Sequence, residues 1–309
     1  MSITRYAVNR LLAMIPTLLI LTILVFLMVQ LVPGDPAEIF LGEKHSSPEL
    51  LARVRHEMGL DQPLYVQYLT YMGNLLRGNF GESLFNNQPV LDQILAAVPY
   101  TLTLALSALF ISTILGVGLG IISALNHNSW IDSSAMVVAL LGVSMPVFWL
   151  GLLLILVFSV TLKWFPPMGQ GSLDRLVLPA LTLGLLSSAT LARVVRSNML
   201  DVLSDDYIRT AKAKGLRKNT IVVRHALRNA LIPAVTLMGL QFGGLISGAV
   251  ITETIFARIG LGRMYVESIL NKDITMIQGL TLMLAFIIML INILVDISYA
   301  ALDPRIRYE

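Results

Sequence analysis

The chain has 309 residues, 22 Lys and Arg against 19 Asp and Glu, a net charge of +3 at pH 7, no cysteine and a mean hydropathy of +0.76. Only 13% of its residues are charged and 56% are hydrophobic, whereas a soluble domain carries about 25% charged residues, so a lipid bilayer is the solvent this composition fits. The lack of cysteine excludes disulfides, thiolate metal sites and a cysteine nucleophile, and the basic excess reads as membrane orientation bias rather than nucleic-acid binding.

Arg5 and Arg10 precede an uncharged run from Leu11 to Val32. At about 1.5 Å per residue this run crosses a hydrocarbon core of about 30 Å. It is too long for a signal-peptide core and lacks an Ala-x-Ala-like site after it, so residues 1–32 read as a short tail and a retained first membrane helix. Val32-Pro33-Gly34-Asp35-Pro36 ends that helix, since proline lacks a donor and restricts its predecessor.

Residues 33–99 carry eight acids and four bases. Ser47-Pro48-Glu49 is a helix start, with Leu50, Leu51, Val54 and Met58 at helical spacing after it. Tyr65, Tyr68, Leu69, Met72 and Leu76 share one face of a second helix. The expectation for 33–99 is an extracytoplasmic helical segment.

Five further apolar runs follow: Thr101–Leu125, Ala135–Val160, Val177–Val195, Ile232–Ile255 and Met276–Ala301. With the first helix they make six spans and an all-α integral membrane fold, with a five-helix core over 100–302 and a tail at 303–309. Placing the N-terminus in the cytoplasm puts 13 Lys and Arg in inside segments and 5 in the short outside loops at 162–176 and 256–275. The inside excess orients both termini to the cytoplasm. Gly116 with Gly120, Gly239 with Gly243, and Gly244 with Gly248 are spaced for close helix approach in lipid, and Pro146 is expected to kink the third span.

Several chemistries are absent. Gly116-x-Gly118-x-Gly120 lies inside an apolar run with no strand before it, and no glycine-rich loop ends in Gly-Lys-Ser/Thr, so ATP must be handled by another subunit if at all. His45, His56, His127 and His225 lack metal-ligand spacing, and Leu60 stands where a zinc-protease helix needs its second histidine. Polar groups near the spans are Gln241, Glu253, Gln278, Asn292 and Asp296. Of these, Gln241 and Glu253, with Ser144 and Pro146 at the expected kink, are the candidates for a translocation path. A coupled carrier needs more buried ionisable groups than this, but a stand-alone channel or carrier is the competing reading, followed by a lipid-binding scaffold.

The segment Arg193–Asn229 holds nine of the chain's Lys and Arg residues. Asp205 or Ser204 can cap a helix with body Tyr207–Lys214, and Gly215 can end it. A second amphipathic helix, Thr220–Leu231, offers Val223, Leu227, Ala230 and Leu231 for packing. Helix, glycine and helix form a shaped basic surface, which reads as a docking site with small alanines exposed for close approach by a partner.

Arg209-Thr210-Ala211-Lys212-Ala213-Lys214-Gly215, followed by Asn229-Ala230-Leu231-Ile232-Pro233, resembles the "EAA" loop of ABC-importer membrane subunits, with Arg209 in place of Glu and Thr210 in place of the first Ala. Arg10-Leu11-Leu12, Gly59-Leu60-Asp61-Gln62-Pro63-Leu64, Gly78-Asn79-Phe80-Gly81-Glu82-Ser83, Thr252-Glu253-Thr254-Ile255-Phe256, Gly260-Leu261-Gly262-Arg263 and Asp303-Pro304-Arg305 are similar to the B-type permeases of dipeptide and oligopeptide importers, a branch that also moves glutathione and nickel. The resemblance implies a type I importer (MetI-like) permease in the bacterial cytoplasmic (inner) membrane, translocating short peptides. It implies a homologous second permease, two cytoplasmic ATPase subunits carrying ATP and Mg, and an extracytoplasmic substrate-binding protein. It implies no cofactor, metal or catalytic residue on this chain, and no nucleic-acid partner. ATPase coupling falls, by resemblance, to Asp206, Tyr207, Ile208, Arg209, Thr210, Ala211, Lys212, Ala213, Lys214 and Gly215 within a cytoplasmic loop spanning 193–231.

Overall fold

The computed structural model describes residues 3–31, 48–57 and 59–302. The Val32–Pro36 turn, His45, Met58 and the 303–309 tail lie outside the described residues. Among those described, regular structure is helical apart from one antiparallel bridge between Glu82 and Pro89. The helices are α1 (Ile3–Leu31), α2 (Pro48–Glu57), α3 (Leu64–Leu76), α4 (Val90–Leu125), α5 (Trp130–Ser144), α6 (Val147–Thr161), α7 (Asp174–Ser204), α8 (Asp206–Ala213), α9 (Lys218–Ile255), α10 (Leu261–Leu270) and α11 (Ile274–Leu302). Among the described residues five of them are long and apolar enough to cross a membrane, and the pair α5–α6, bent by 109°, makes a sixth when its two halves are counted as one broken span.

The apolar runs locate the spans but not their ends. α4 begins at Val90, not Thr101, because Asp92 and Gln93 occupy its solvated first turn, where an acid suits the helix dipole. The kink expected at Pro146 is a break. α5 stops at Ser144, Met145 and Pro146 adopt extended backbone, and α6 leaves at 109° to α5. Proline disfavours helical geometry in the residue before it, which here forces the chain out of helix altogether.

The chain divides into two compact units. One comprises Met1–Asn9, Val98–Met264 and Ile288–Glu309. Its centre is the packing of α7 with α9, α5 and α6. Gly116 and Gly120 of α4 meet α7 closely: a Cβ at Gly120 would stand 2.8 Å from the Ala192 carbonyl, and one at Gly116 2.9 Å from that of Ser188. Of the other two pairs, Gly248 approaches α7 less closely, a Cβ there standing 3.3 Å from Leu183 Cδ2. Gly244 faces open space and Gly243 makes only ordinary contact distances.

The other unit comprises Arg10–Ala97 and Tyr265–Ile287. In it α3 is tied to α1 by Phe26 against the edge of Tyr68 at 5.5 Å, a Thr22–Tyr68 hydroxyl pair at 3.0 Å and Gln30 donating to Gln67 at 3.2 Å. Asp273 caps α11 through the Met276 amide and receives the Ser83 hydroxyl and the Leu84 amide, which fastens the 77–89 loop. Burial pushes the Tyr71 phenol up from its ordinary range.

Candidate functional site

The basic segment begins inside a helix. α7 runs on to Ser204, so Arg193 and Arg196 project from its last turns and not from a loop. α8 follows after one extended residue, Asp205, whose carbonyl takes the Ile208 and Arg209 amides while its side chain makes no cap bond. Asp206 sits in the first turn and Lys212 in the last, each complementing the helix dipole. Gly215, at φ +73°, ends the helix in a left-handed turn, with the Gly215 amide on the Lys212 carbonyl and the Leu216 amide on that of Ala211.

α8 is two-faced. Ile208 and Ala211 are buried in an apolar core made by Ala124 of α4, Leu191, Val195 and Met199 of α7, and Ile221, Val222, Ala226, Ala230 and Ala234 of α9. Arg209, Thr210, Lys212, Ala213, Lys214 and Leu216 are exposed. Tyr207 is 40% exposed, and its hydroxyl accepts from Asn229 at 2.9 Å. Ala211 therefore corrects the expectation of an exposed alanine: its smallness serves packing within this chain, and Ala213 is the exposed one. Arg209 stands 3.6 Å from Asp206, a solvated pair of little energetic weight.

The second expected helix is continuous with α9, and its first turns are wider than an α-helix over Ile221–Ala226. That extra residue per turn rotates the face. Val222 is buried and Val223 is 64% exposed, the reverse of the expected packing residue.

An ion-pair cluster beside this core is invisible to local motif reading. Arg196 grips Asp132 with both ends of its guanidinium, Nε and Nη2 each at 2.7 Å. The Ser123 hydroxyl donates to the same carboxylate, as does the Asn128 amide at 3.0 Å. Asp132 is 3% exposed. The available signal was a lone acid in the otherwise uncharged stretch 126–134.

The four translocation candidates are not gathered into one site. Ser144 ends α5 with its hydroxyl on the Leu140 carbonyl, and Pro146 is the extended residue just before α6. Gln241 donates to the Ser187 carbonyl at 3.0 Å, and lines a cavity of about 340 Å³ with Val147, Thr190, Gly244 and others. Glu253 lies twelve residues further along α9, about 18 Å at the helical rise, and is 1% exposed. Its carboxylate accepts from Thr101 at 2.6 Å and from the Gly262 and Arg263 amides at 2.8 and 3.2 Å, which caps the start of α10. Arg258, close by, gives a hydrogen bond to the Arg175 carbonyl, and burial pushes its guanidinium below the usual range. Among the described residues no group of three or more acids and histidines is placed to hold a metal.

Comparison with known proteins agrees with this architecture. Residues 116–308 match the family "Binding-protein-dependent transport system inner membrane component", and residues 3–105 match the N-terminal region of the same systems' membrane components. The chain is 45% identical over 304 residues to "Glutathione transport system permease protein GsiC" of Escherichia coli strain K12, covering 98% of this chain and 99% of the relative. It is 44% identical, over the same shares, to the protein of that name from Salmonella choleraesuis strain SC-B67. An inward-facing structure of the MetNI methionine ABC transporter superposes with a TM-score of 0.60 at 18% identity, covering 68% of this chain and 96% of that one, a likeness of fold alone. The chain belongs to the family of inner-membrane components of binding-protein-dependent transport systems. It is a multi-pass permease subunit of the peptide and glutathione branch of ABC importers, with a type I importer fold, and ATP hydrolysis resides in partner subunits.

Proposed function

We propose that this permease carries short peptides, glutathione among them, inward across the cytoplasmic membrane, paired with a homologous second permease. In this reading two ATPase subunits dock on the exposed face of α8, a substrate-binding protein docks at the 33–99 segment, and both termini lie in the cytoplasm. The cytoplasmic loop would span 193–231 and the permease core 100–302. The observation that carries the reading is the division of α8 into two faces. Ile208 and Ala211 seat it in the core shared with α4, α7 and α9, while Arg209, Lys212 and Lys214 stay exposed to a partner. A push on that exposed face moves the core beneath it, and through the core the spans. ATP can shift the transport equilibrium only by contacting the two permease states differently, and α8 is where that difference acts.

The 45% identity to glutathione permeases makes glutathione the first cargo to test. The test reconstitutes the whole complex and measures ATP hydrolysis and uptake of labelled glutathione, with unlabelled dipeptides as competitors. Reversing charge on the exposed face, with Arg209→Glu and Lys212→Glu together, is expected to abolish uptake and ATPase association while leaving the permease inserted. Unchanged uptake in that variant removes α8 as the coupling element. Uptake by the permease without any ATPase would place the chain among channels or carriers.

A further inference from the structure

The Asp132–Arg196 cluster has no part in that reading, yet its residues interleave with those that seat α8. Ser123 precedes Ala124, and Arg196 follows Val195 with Met199 one turn on. Ala124, Val195 and Met199 belong to the core that holds Ile208 and Ala211. Asp132 stands in the first turn of α5, and its carboxylate also holds the Asn128 amide in the turn between α4 and α5.

We propose that Asp132 and Arg196 are positioning residues for coupling: their two-point grip makes the α4–α5 turn and the start of α5 move as one piece with α7 when α8 is displaced. The proposal rests on α8 being the coupling element. Apolar contact is non-directional and lets surfaces slide, whereas a bidentate guanidinium–carboxylate fork fixes distance and angle together. α4 and α7 are already in close register through Gly116 and Gly120. What the fork adds to the apolar packing of α5 on α7 is a directional tie at the start of α5, the helix that leads to the 109° break at Pro146. Movement at α8 thereby reaches the broken span, and not only α7. Asp132 is nearly sealed from solvent and its oxygens are occupied by Arg196, Ser123, Asn128 and, at 3.3 Å, the His127 ring nitrogen, which also lies 3.2 Å from Arg196, so the pair has no spare capacity to serve as a ligand site.

The test uses the complete importer in proteoliposomes and reads labelled-cargo uptake per ATP hydrolysed. Arg196→Lys keeps the charge but replaces the fork by a single point. It is expected to leave ATP hydrolysis within about two-fold of wild type and to lower uptake per ATP about ten-fold, the weight of one charge-assisted hydrogen bond. Asp132→Asn with Arg196→Gln, which removes both charges together, serves as the second variant and is expected to lower the same ratio. An unchanged ratio in both variants overturns the proposal. So does a loss of uptake and ATP hydrolysis in equal proportion, or failure of both variants to assemble, since either is what a purely structural pair would give. The α8 charge-reversal variant, run alongside, separates the two ideas: if it keeps wild-type coupling, the underlying assignment of α8 fails whatever the Arg196 variants do.

Discussion

The Leu216 amide donates to the Ala211 carbonyl at 3.3 Å, closing a turn around Gly215 at φ +73°. With the Gly215 amide on the Lys212 carbonyl at 3.0 Å, this is a complete two-bond helix stop. It fixes where α8 ends and where the chain turns towards α9. A Cβ at Gly215 would meet nothing within 4 Å, so the cost of a side chain there is conformational alone. Gly215→Ala is expected to destabilise the turn by roughly 1–2 kcal/mol, and Gly215→Asn by less, since asparagine tolerates the left-handed region. Gly215→Pro removes the amide and forces φ negative, which is expected to abolish uptake while membrane insertion persists. Thermal unfolding of the detergent-solubilised chain, together with uptake by the reconstituted complex, checks the order Asn, Ala, Pro.

Ala211 and Ala213 lie two residues apart and on opposite sides of α8, the first 7% exposed and the second exposed. A bulky residue at each position therefore asks a different question. Ala211→Trp must push α8 off its own core, and overpacking of that kind costs about 1–3 kcal/mol or more. It is expected to lower the melting temperature of the isolated permease. Ala213→Trp is expected to leave that melting temperature unchanged and to act only on ATPase co-purification. Equal melting temperatures for the two variants would contradict the buried placement of Ala211.

How much of this was legible in the sequence differs from residue to residue. The spans were legible because lipid demands about twenty apolar residues in a row, and α8 was legible because acids, a short helix and a glycine mark its ends. The buried face of α8 was not: alanine is equally at home in a tight core and on an exposed docking surface, and only the neighbours from α4, α7 and α9 decide between them. Val223 is exposed and Val222 buried because both lie within a wider turn, Ile221–Ala226, and that turn leaves no mark in hydrophobic spacing. Asp132 and Arg196 are 64 residues apart, and no local pattern reports a pair at that range. Glu253 was legible as a buried acid in a span but not as a cap, because the amides it holds belong to a helix that starts eight residues later.

Glu253 gives a sharper test than its burial alone. One oxygen takes the Thr101 hydroxyl and the other takes the Gly262 and Arg263 amides, so every contact uses an acceptor. Glutamine offers one acceptor and one donor in the same space. Turned one way, its amide nitrogen opposes the Gly262 and Arg263 amides; turned the other, it meets the Thr101 hydroxyl, which can accept it but loses the acceptor for its own proton. Glu253→Gln is expected to cost about 1–3 kcal/mol, the penalty of a buried group left unsatisfied, and to speed hydrogen exchange at the Gly262 and Arg263 amides. A role for Glu253 as a cargo ligand predicts the opposite pattern, with uptake lost and those amides still protected.

The α4–α7 contact separates three glycines that look alike in sequence. A Cβ at Gly120 would sit 2.7 Å from Val195 Cβ and 2.8 Å from the Ala192 carbonyl, and one at Gly116 would sit 2.8 Å from Leu191 Cβ. All three distances are inside van der Waals contact, and the nearest atoms are backbone or Cβ, which cannot swing away. Gly118, between them, would meet nothing within 4 Å. Gly118→Ala is therefore expected to leave stability unchanged or raise it slightly, since alanine favours helix by about 1 kcal/mol over glycine. Gly116→Ala and Gly120→Ala are expected to lose about 1–3 kcal/mol each as the helices are forced apart. Because Leu191 and Val195 both belong to the core under α8, Gly116→Ala and Gly120→Ala are each expected to reduce uptake as well as melting temperature. Melting temperatures and uptake measured on the three single variants check this, and a Gly118→Ala variant as damaged as Gly120→Ala would place the contact on a different face of α4.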